Sequence, residues 1–225
     1  MSDAQDPARE AAASAAAERV EPGSVIGLGS GRAVWRLIDL LAERGIEVSA
    51  AFASDRTRER AVAAGIEPVE LDGSVRLSVA IDGADEIDPD LGLIKGGGAA
   101  LLREKIVVSA ADRFVVVAET GKKVARLGET RALPVEVVRF GWRDTMRRLL
   151  DLLPGADLRR EDGDPVVTDE GHYLLDCELP GEGDLNDLAA AIKGTVGVVE
   201  HGLFLGVASE ALLGTPAGEV ETLRP

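Results

Sequence analysis

Ser24-Val25-Ile26-Gly27-Leu28-Gly29-Ser30-Gly31-Arg32 is a short apolar run that breaks into glycines. Ser24 to Leu28 reads as a buried strand. Gly29-Ser30-Gly31 is the loop after it. A helix follows from about Arg32 to Arg44, with Val34, Leu37, Ile38 and Leu41 on one face, and Gly45 closes it. A strand, a glycine loop and a helix in that order usually start a doubly wound α/β domain. The dinucleotide fingerprint G-x-G-x-x-G fails here. Counted from Gly27 it needs a small residue at 32, where Arg32 stands; counted from Gly29 it meets Val34. A small phosphate cradled by Ser30, Gly31 and the following amides suits the loop better.

The same alternation continues on both sides. Pro7 to Val20 is an alanine-rich helix stopped by Glu21-Pro22-Gly23. Strands are expected at Glu47–Ala53, Ile66–Leu71, Leu77–Ile81 and Arg113–Glu119. Pro68 places the second of these near an edge, and the apolar third is central. Ser54-Asp55-Arg56-Thr57 caps a helix running to Ala64. From Leu133 the pattern changes. A strand, a helix (Trp142 to Leu153), strands near Val166-Val167 and at His172 to Leu179, a helix (Leu185 to Lys193) and a strand (Val196 to Glu200) suit a small ferredoxin-like α+β domain. The expected fold is α/β: a doubly wound, mostly parallel Rossmann-like sheet with a second, smaller ferredoxin-like α+β domain. The expected boundaries are 1–130 plus 203–225 for the first domain and 131–202 for the second.

Chemistry concentrates in Lys95-Gly96-Gly97-Gly98-Ala99-Ala100-Leu101-Leu102-Arg103-Glu104-Lys105. Three glycines bare the backbone amides to a ligand, and a helix is expected from Ala99 to Val108. Lys95 adds a cation. Glu104 falls a turn and a half into that helix, between apolar turns. A cation, free amides and a carboxylate in a partly dry place can remove a proton next to a carbonyl. The competing reading is a glycine turn followed by a surface helix with a solvated glutamate. At the end of the central strand stands Asp82-Gly83-Ala84-Asp85-Glu86-Ile87-Asp88. Asp82 and Asp85 fit an Mg²⁺ site, an acid–base pair or a plain acidic turn. Glu86, Asp88 and Asp90 read as solvated loop charges. Thr120-Gly121-Lys122-Lys123 ends the strand after that. Ser30, Asp82, Asp85, Lys95, Glu104 and Lys122 are thereby expected on one rim.

Composition limits the partners. Forty acidic residues against 25 basic ones give a net charge of −15, and only five of the basic residues are lysine. Such a surface repels nucleic acid and anionic membranes, and is a lever used by halophile proteins. The single Cys177 leaves no intramolecular disulfide and favours a reducing compartment. No apolar run is as long as a membrane span, and Met1-Ser2-Asp3-Ala4-Gln5-Asp6 lacks the order of a signal peptide. The expectation is a soluble, cytoplasmic protein. Two separated histidines, His172 and His201, leave acid–base work to carboxylates and lysine.

With these residues in place, the chain resembles ribose-5-phosphate isomerase of the A type. The resemblance rests on Gly27–Gly31, Asp82–Ile87, Lys95–Ile106, Leu133-Pro134-Val135-Glu136-Val137, Gly202-Leu203-Phe204 and Gly214-Thr215-Pro216. It implies an aldose–ketose isomerase for ribose 5-phosphate and ribulose 5-phosphate, with no metal and no organic cofactor. Glu104 matches the general base, with Asp82, Asp85 and Lys95 beside it in catalysis. Ser30, Gly31, Arg32, Ala33, Gly83, Ala84, Gly96, Gly97, Gly98 and Lys122 match substrate-binding segments. Arg32 and Ala33 stand where the family usually offers hydroxyls, and Arg9 falls near a basic family residue, which makes it a candidate phosphate contact. The resemblance also implies a homodimer or homotetramer. A sugar-phosphate-sensing domain on the same scaffold is the alternative, and the retained Glu104 and Lys95 weigh against it.

Overall fold

The structure is a computed structural model that describes residues 6–225; the amino-terminal reading of Met1 to Gln5 lies outside them. In chain order the elements begin with α1 (Pro7–Ala17), β1 (Val25–Leu28), α2 (Arg32–Glu43), β2 (Ser49–Phe52), α3 (Asp55–Ala63), β3 (Glu67–Pro68) and β4 (Val79–Asp82). Then come β5 (Glu86–Ile87), β6 (Leu93–Ile94), α4 (Leu101–Ser109), β7 (Phe114–Glu119), β8 (Leu133–Val137), α5 (Trp142–Leu149), β9 (Ala156–Leu158) and β10 (Arg160–Glu161). The last are β11 (Asp164–Pro165), β12 (Tyr173–Cys177), α6 (Leu185–Lys193), β13 (Val198–His201), β14 (Leu203–Phe204), β15 (Glu210–Gly214) and β16 (Val220–Leu223). The chain forms two units. One takes the residues up to Ala84, Arg103–Lys123 and Gly206–Pro225; the other takes Asp85–Leu102 and Val124–Leu205.

The first unit is built on a seven-stranded sheet in the order β16-β15-β7-β4-β1-β2-β3. All neighbours are parallel except the β15–β16 pair. The strand order reverses between β1 and β4, where doubly wound sheets open a crevice beyond their carboxyl ends. The central strands are apolar on both faces because helices cover both. Asp6 caps α1 by accepting from the Ala8 and Arg9 amides, and Pro7 occupies its first position. α1 then buries Ala12, Ala13, Ala16 and Ala17. Small residues let it come close: a side chain at Gly214 of β15 would strike the Ala8 carbonyl. Pro68 sits in the edge strand β3, as its missing N–H demands.

The second unit contains a four-stranded antiparallel sheet ordered β13-β8-β12-β9. With α5 after β8 and α6 after β12, this is the βαββαβ order of a ferredoxin-like fold. The strand expected near Val166-Val167 is displaced. β11 lies at Asp164–Pro165 and pairs with β10, because Asp162 (φ 51°) and Gly163 (φ 92°) form a tight two-residue turn between them. β5, β6 and β14 make a small antiparallel sheet in the order β14-β6-β5.

Two readings of the sequence are corrected. Glu86 is not a solvated loop charge. It lies in β5, is fully buried, and accepts from the amides of Gly128 (2.6 Å), Thr130 (2.5 Å) and Arg131 (2.7 Å) and from the Thr130 hydroxyl (2.7 Å). Asp88 is half-buried as well; burial pushes its carboxyl up, opposed by the Gly92 and Asp90 amides. α4 starts at Leu101 rather than Ala99, because Ala99 adopts φ 61°, outside the right-handed helix.

Candidate active site

In the first unit the glycine loop and the end of β4 are interlocked. Asp82 is 2% exposed, and its Oδ1 accepts from the Ser30 amide (3.0 Å) and the Gly83 amide (2.7 Å). A Cβ on Gly29 would lie well under 3.0 Å from Cγ, Oδ1 and Oδ2 of Asp82, so glycine is the residue that lets the carboxylate reach the loop. Gly31 precedes α2 at φ 114°, with no side chain capping the helix. The first amides of α2, at Arg32 and Ala33, therefore end on an uncapped helix terminus, which favours an anion. Ser30 Oγ lies 3.2 Å from Ser54 Oγ, the cap of α3.

Arginines of α1, α2 and α3 lie near the loop. Arg9, Arg32, Arg36, Arg56 and Arg60 line a cleft of about 470 Å³ with Trp35, Asp6, Glu10 and Asp39, where Glu10 pairs with Arg36 and Asp39 with Arg60. Arg9 is buried, and Asp6 (3.3 Å) and Glu119 (3.1 Å) already meet its guanidinium. Arg32 is exposed at the first position of α2. Arg56 stacks on Trp35 at 4.1 Å from the ring centroid. Lys122 stands in the 3₁₀ turn just after β7 and is half-buried, while Lys123 pairs with Glu221 at 2.6 Å. Ser30, Asp82 and Lys122 thus follow or end β1, β4 and β7, three consecutive parallel strands, at their carboxyl ends.

Glu104 lies in the first turn of α4 and is 4% exposed. It shares the buried face of that helix with Leu101, Val107 and Val108. A Cβ on Gly27 of β1 would come within 2.5 Å of Val107, so α4 seats that face directly on the bare backbone of β1. The carboxylate expected in a partly dry place is in a buried one, on a helix seated against the strand that carries the glycine loop.

The second unit holds the remaining candidates. Asp85 Oδ2 accepts from the Gly97 amide at 2.7 Å, and a side chain at Gly97 would press on Asp85 Oδ1 at 2.7 Å. Gly96 is buried at φ 108°; Gly97 and Gly98 are exposed. Lys95 is 2% exposed, with its ammonium 5.4 Å from the centre of the Phe204 ring. Its amide donates to the Gly202 carbonyl at 2.9 Å, and a side chain at Gly202 would run into the Lys95 carbonyl. Residue-by-residue reading assigned no role to Phe204, Gly202 or Arg159, whose guanidinium donates to the Gly96 (2.7 Å) and Gly97 (3.3 Å) carbonyls. Gly202 and Phe204 entered only as part of the Gly202-Leu203-Phe204 segment that carries the resemblance, with no role of their own. Of the acid cluster, Asp82 belongs to the first unit and Asp85 to the second. Among the described residues no three His, Cys, Asp or Glu side chains gather as metal ligands, and no helix is long and apolar enough to cross a membrane.

Comparison with known proteins identifies the family. The model of the ribose 5-phosphate isomerase A (phosphoriboisomerase A) family matches residues 50–218. A ribose-5-phosphate isomerase A of Synechococcus sp. (strain JA-3-3Ab) is 48% identical, over 97% of this chain and 97% of its own. One of Roseiflexus sp. (strain RS-1) is 47% identical over 96% of each. A solved D-ribose-5-phosphate isomerase in complex with phospho-erythronic acid superposes with a TM-score of 0.91 at 34% identity, covering 96% of this chain and 97% of that one. The enzyme from Methanocaldococcus jannaschii gives 0.89 at 34% identity, over 96% and 98%. The chain therefore belongs to the ribose 5-phosphate isomerase A family and is an isomerase.

Proposed function

We propose that the chain interconverts D-ribose 5-phosphate and D-ribulose 5-phosphate through an enediolate, with Glu104 as the base. In the open-chain aldose, Glu104 takes the proton from C2 and the electron pair moves to O1. The same carboxylic acid returns the proton to C1, while O1 gains a proton and O2 gives one up. The observation that carries this reading is the burial of Glu104 on the α4 face that packs on β1. A carboxylate shielded from bulk water keeps the proton it carries from exchanging.

The other groups divide the substrate among them. Ser30, Gly31, Arg32 and Ala33 take the phosphate at the uncapped start of α2, with Arg32 nearest and Arg9 already engaged by two carboxylates. Lys122 adds a cation on the same strand ends. Lys95 and the Gly98 amide hold the developing oxyanion, the Gly97 amide being taken by Asp85 Oδ2. Asp82 and Asp85, with Gly83 and Ala84, handle ring opening and the O1 and O2 protons. No metal or organic cofactor enters this scheme. The chain works in the cytoplasm on this reading, and the exposure of Phe140 (94%) and Val196 (76%) supports self-association as a homodimer or homotetramer.

The test is direct. Purified protein with EDTA present should convert ribose 5-phosphate to the ketose. Glu104→Gln should lower kcat by about 10³-fold, within the range of about 10²–10⁴ for general base catalysis. Full activity in that variant would sink the assignment.

A further inference from the structure

We infer that Arg159 is a positioning residue for the isomerisation: it aims the Gly98 amide at the oxyanion by holding the carbonyls of Gly96 and Gly97. The inference rests on the isomerase reading above.

Arg159 lies between β9 and β10, and its own backbone is tied on both sides. Its amide donates to the Leu174 carbonyl (2.9 Å), and its carbonyl accepts from the Val166 amide (3.0 Å). Its side chain is 16% exposed. Nε donates to Asp176 Oδ2 at 3.0 Å, and Nη2 donates to Asp176 Oδ1. That bidentate pair orients the planar group and leaves Nη1 pointing at the glycine turn. Nη1 then donates to Gly96 O at 2.7 Å and to Gly97 O at 3.3 Å.

The consequence follows from the geometry of a trans peptide. Its C=O and the next N–H point in opposite directions. Holding Gly96 O toward Arg159 turns the Gly97 N–H away from it, where Asp85 Oδ2 accepts it at 2.7 Å. Holding Gly97 O likewise turns the Gly98 N–H away from Arg159. Gly98 is exposed, and no described residue accepts from its amide. The turn therefore presents one amide to a ligand oxygen while the preceding peptide is clamped at both ends. A cation on the carbonyl side also polarises the peptide and strengthens the N–H as a donor. Glycine contributes nothing to this hold, since it restricts its own backbone less than any other residue.

A donor aimed at charge that develops only in the transition state acts on kcat rather than on substrate binding. Losing one such donor outright costs about 10²–10³ in kcat, so losing its aim should cost about 10- to 100-fold. The experiment uses the full-length protein with Arg159→Met, Arg159→Lys and Asp176→Asn. It measures kcat and KM for ribose 5-phosphate, inhibition by phospho-erythronic acid and thermal unfolding. The carboxylate of that acid stands in for the enediolate oxygens.

In Arg159→Met, kcat should fall about 10- to 100-fold with KM within about threefold, and the inhibitor should weaken by at least about tenfold. Arg159→Lys, which keeps the charge and reaches one carbonyl, should recover part of the loss. Asp176→Asn should shift kcat in the same direction by less. Wild-type kcat in both Arg159 variants overturns the inference. So does a loss that merely tracks the unfolded fraction, or one that appears in KM alone. Wild-type protein with no activity on ribose 5-phosphate would sink the isomerase reading and this inference with it, whereas active wild type with active variants sinks the inference alone.

Discussion

Gly29→Ala is the sharpest test of how the glycine loop is held. The added methyl would lie well under 3.0 Å from three atoms of the Asp82 side chain, so the carboxylate must leave. Leaving breaks its bonds from the Ser30 amide (3.0 Å) and the Gly83 amide (2.7 Å). Hydrogen bonds to a charged group contribute about 1.5–3 kcal/mol each, so the loss is about 3–6 kcal/mol before any repacking. We expect about 4 kcal/mol, or roughly 2 M in the urea midpoint for a slope of about 2 kcal/mol/M. Activity should fall as well on the proposed scheme, in which Asp82 handles substrate protons. A double-mutant cycle isolates the cause. Asp82→Ala removes the three atoms nearest the added methyl, so Gly29→Ala should cost less than about 1 kcal/mol in that background, a coupling of at least about 2 kcal/mol. The control is Gly31→Ala, which meets no atom within 4 Å but sits at φ 114°; it should cost only backbone strain of about 1–3 kcal/mol, with no coupling to position 82. Costs at positions 29 and 82 that add within about 0.5 kcal/mol would refute the interlock.

Two further predictions concern groups outside the chemistry. Cys177 is buried, and burial, with Asp176 and Asp157 nearby, pushes its thiol up from 9.0 to about 12. Its thiolate fraction at pH 8 is then on the order of 10⁻⁴, so native protein should resist alkylation that denatured protein undergoes at once. The folded state keeps this proton while the unfolded thiol ionises near 9.0, so stability is lost as pH rises from about 9 toward 12. The slope approaches about 1.4 kcal/mol per pH unit, and Cys177→Ala should flatten that limb of the curve; an unchanged limb refutes it. Glu86 holds the 128–131 loop through four donors. Glu86→Gln turns an NH₂ toward the Gly128 amide and should cost about 1–3 kcal/mol, while Glu86→Ala should cost more by orphaning all four. A chemical-denaturation midpoint within error of wild type in Glu86→Ala would remove it as the holder of that loop.

These perturbations also show which parts of the molecule were legible in its sequence. The strand–glycine–helix unit around Gly29 was readable because its apolar period and its breakers are local. The same holds for α6, bounded by Asp184 and Gly194. The boundaries of α4 and β11 were not, since a left-handed Ala99 and an Asp162-Gly163 turn are set by backbone angles that composition only hints at. Polarity misled at Glu86. A carboxylate among Asp85, Asp88 and Asp90 reads as solvent-facing, yet its four donors come from residues more than forty positions away. Burial of an acid depends on who donates to it, and that is a tertiary fact.

The glycine turn carries the same lesson into the chemistry. A preorganised oxyanion donor works only if it does not reorganise when charge develops. Three consecutive glycines bare the amides for a ligand, and the same absence of side chains leaves the turn nothing of its own to resist rotation. Access and rigidity thus make opposite demands on residues 96–98, and no choice of residue there satisfies both. The rigidity has to be supplied from outside. Asp85 holds one amide and Arg159 two carbonyls, with Asp176 in turn holding Arg159. The ligand-facing half of the device is therefore written in adjacent letters. The holding half is sixty-three residues away from Gly96, at an arginine with no motif around it. A positioning group of this kind is found by asking what restrains a glycine, rather than what a glycine permits.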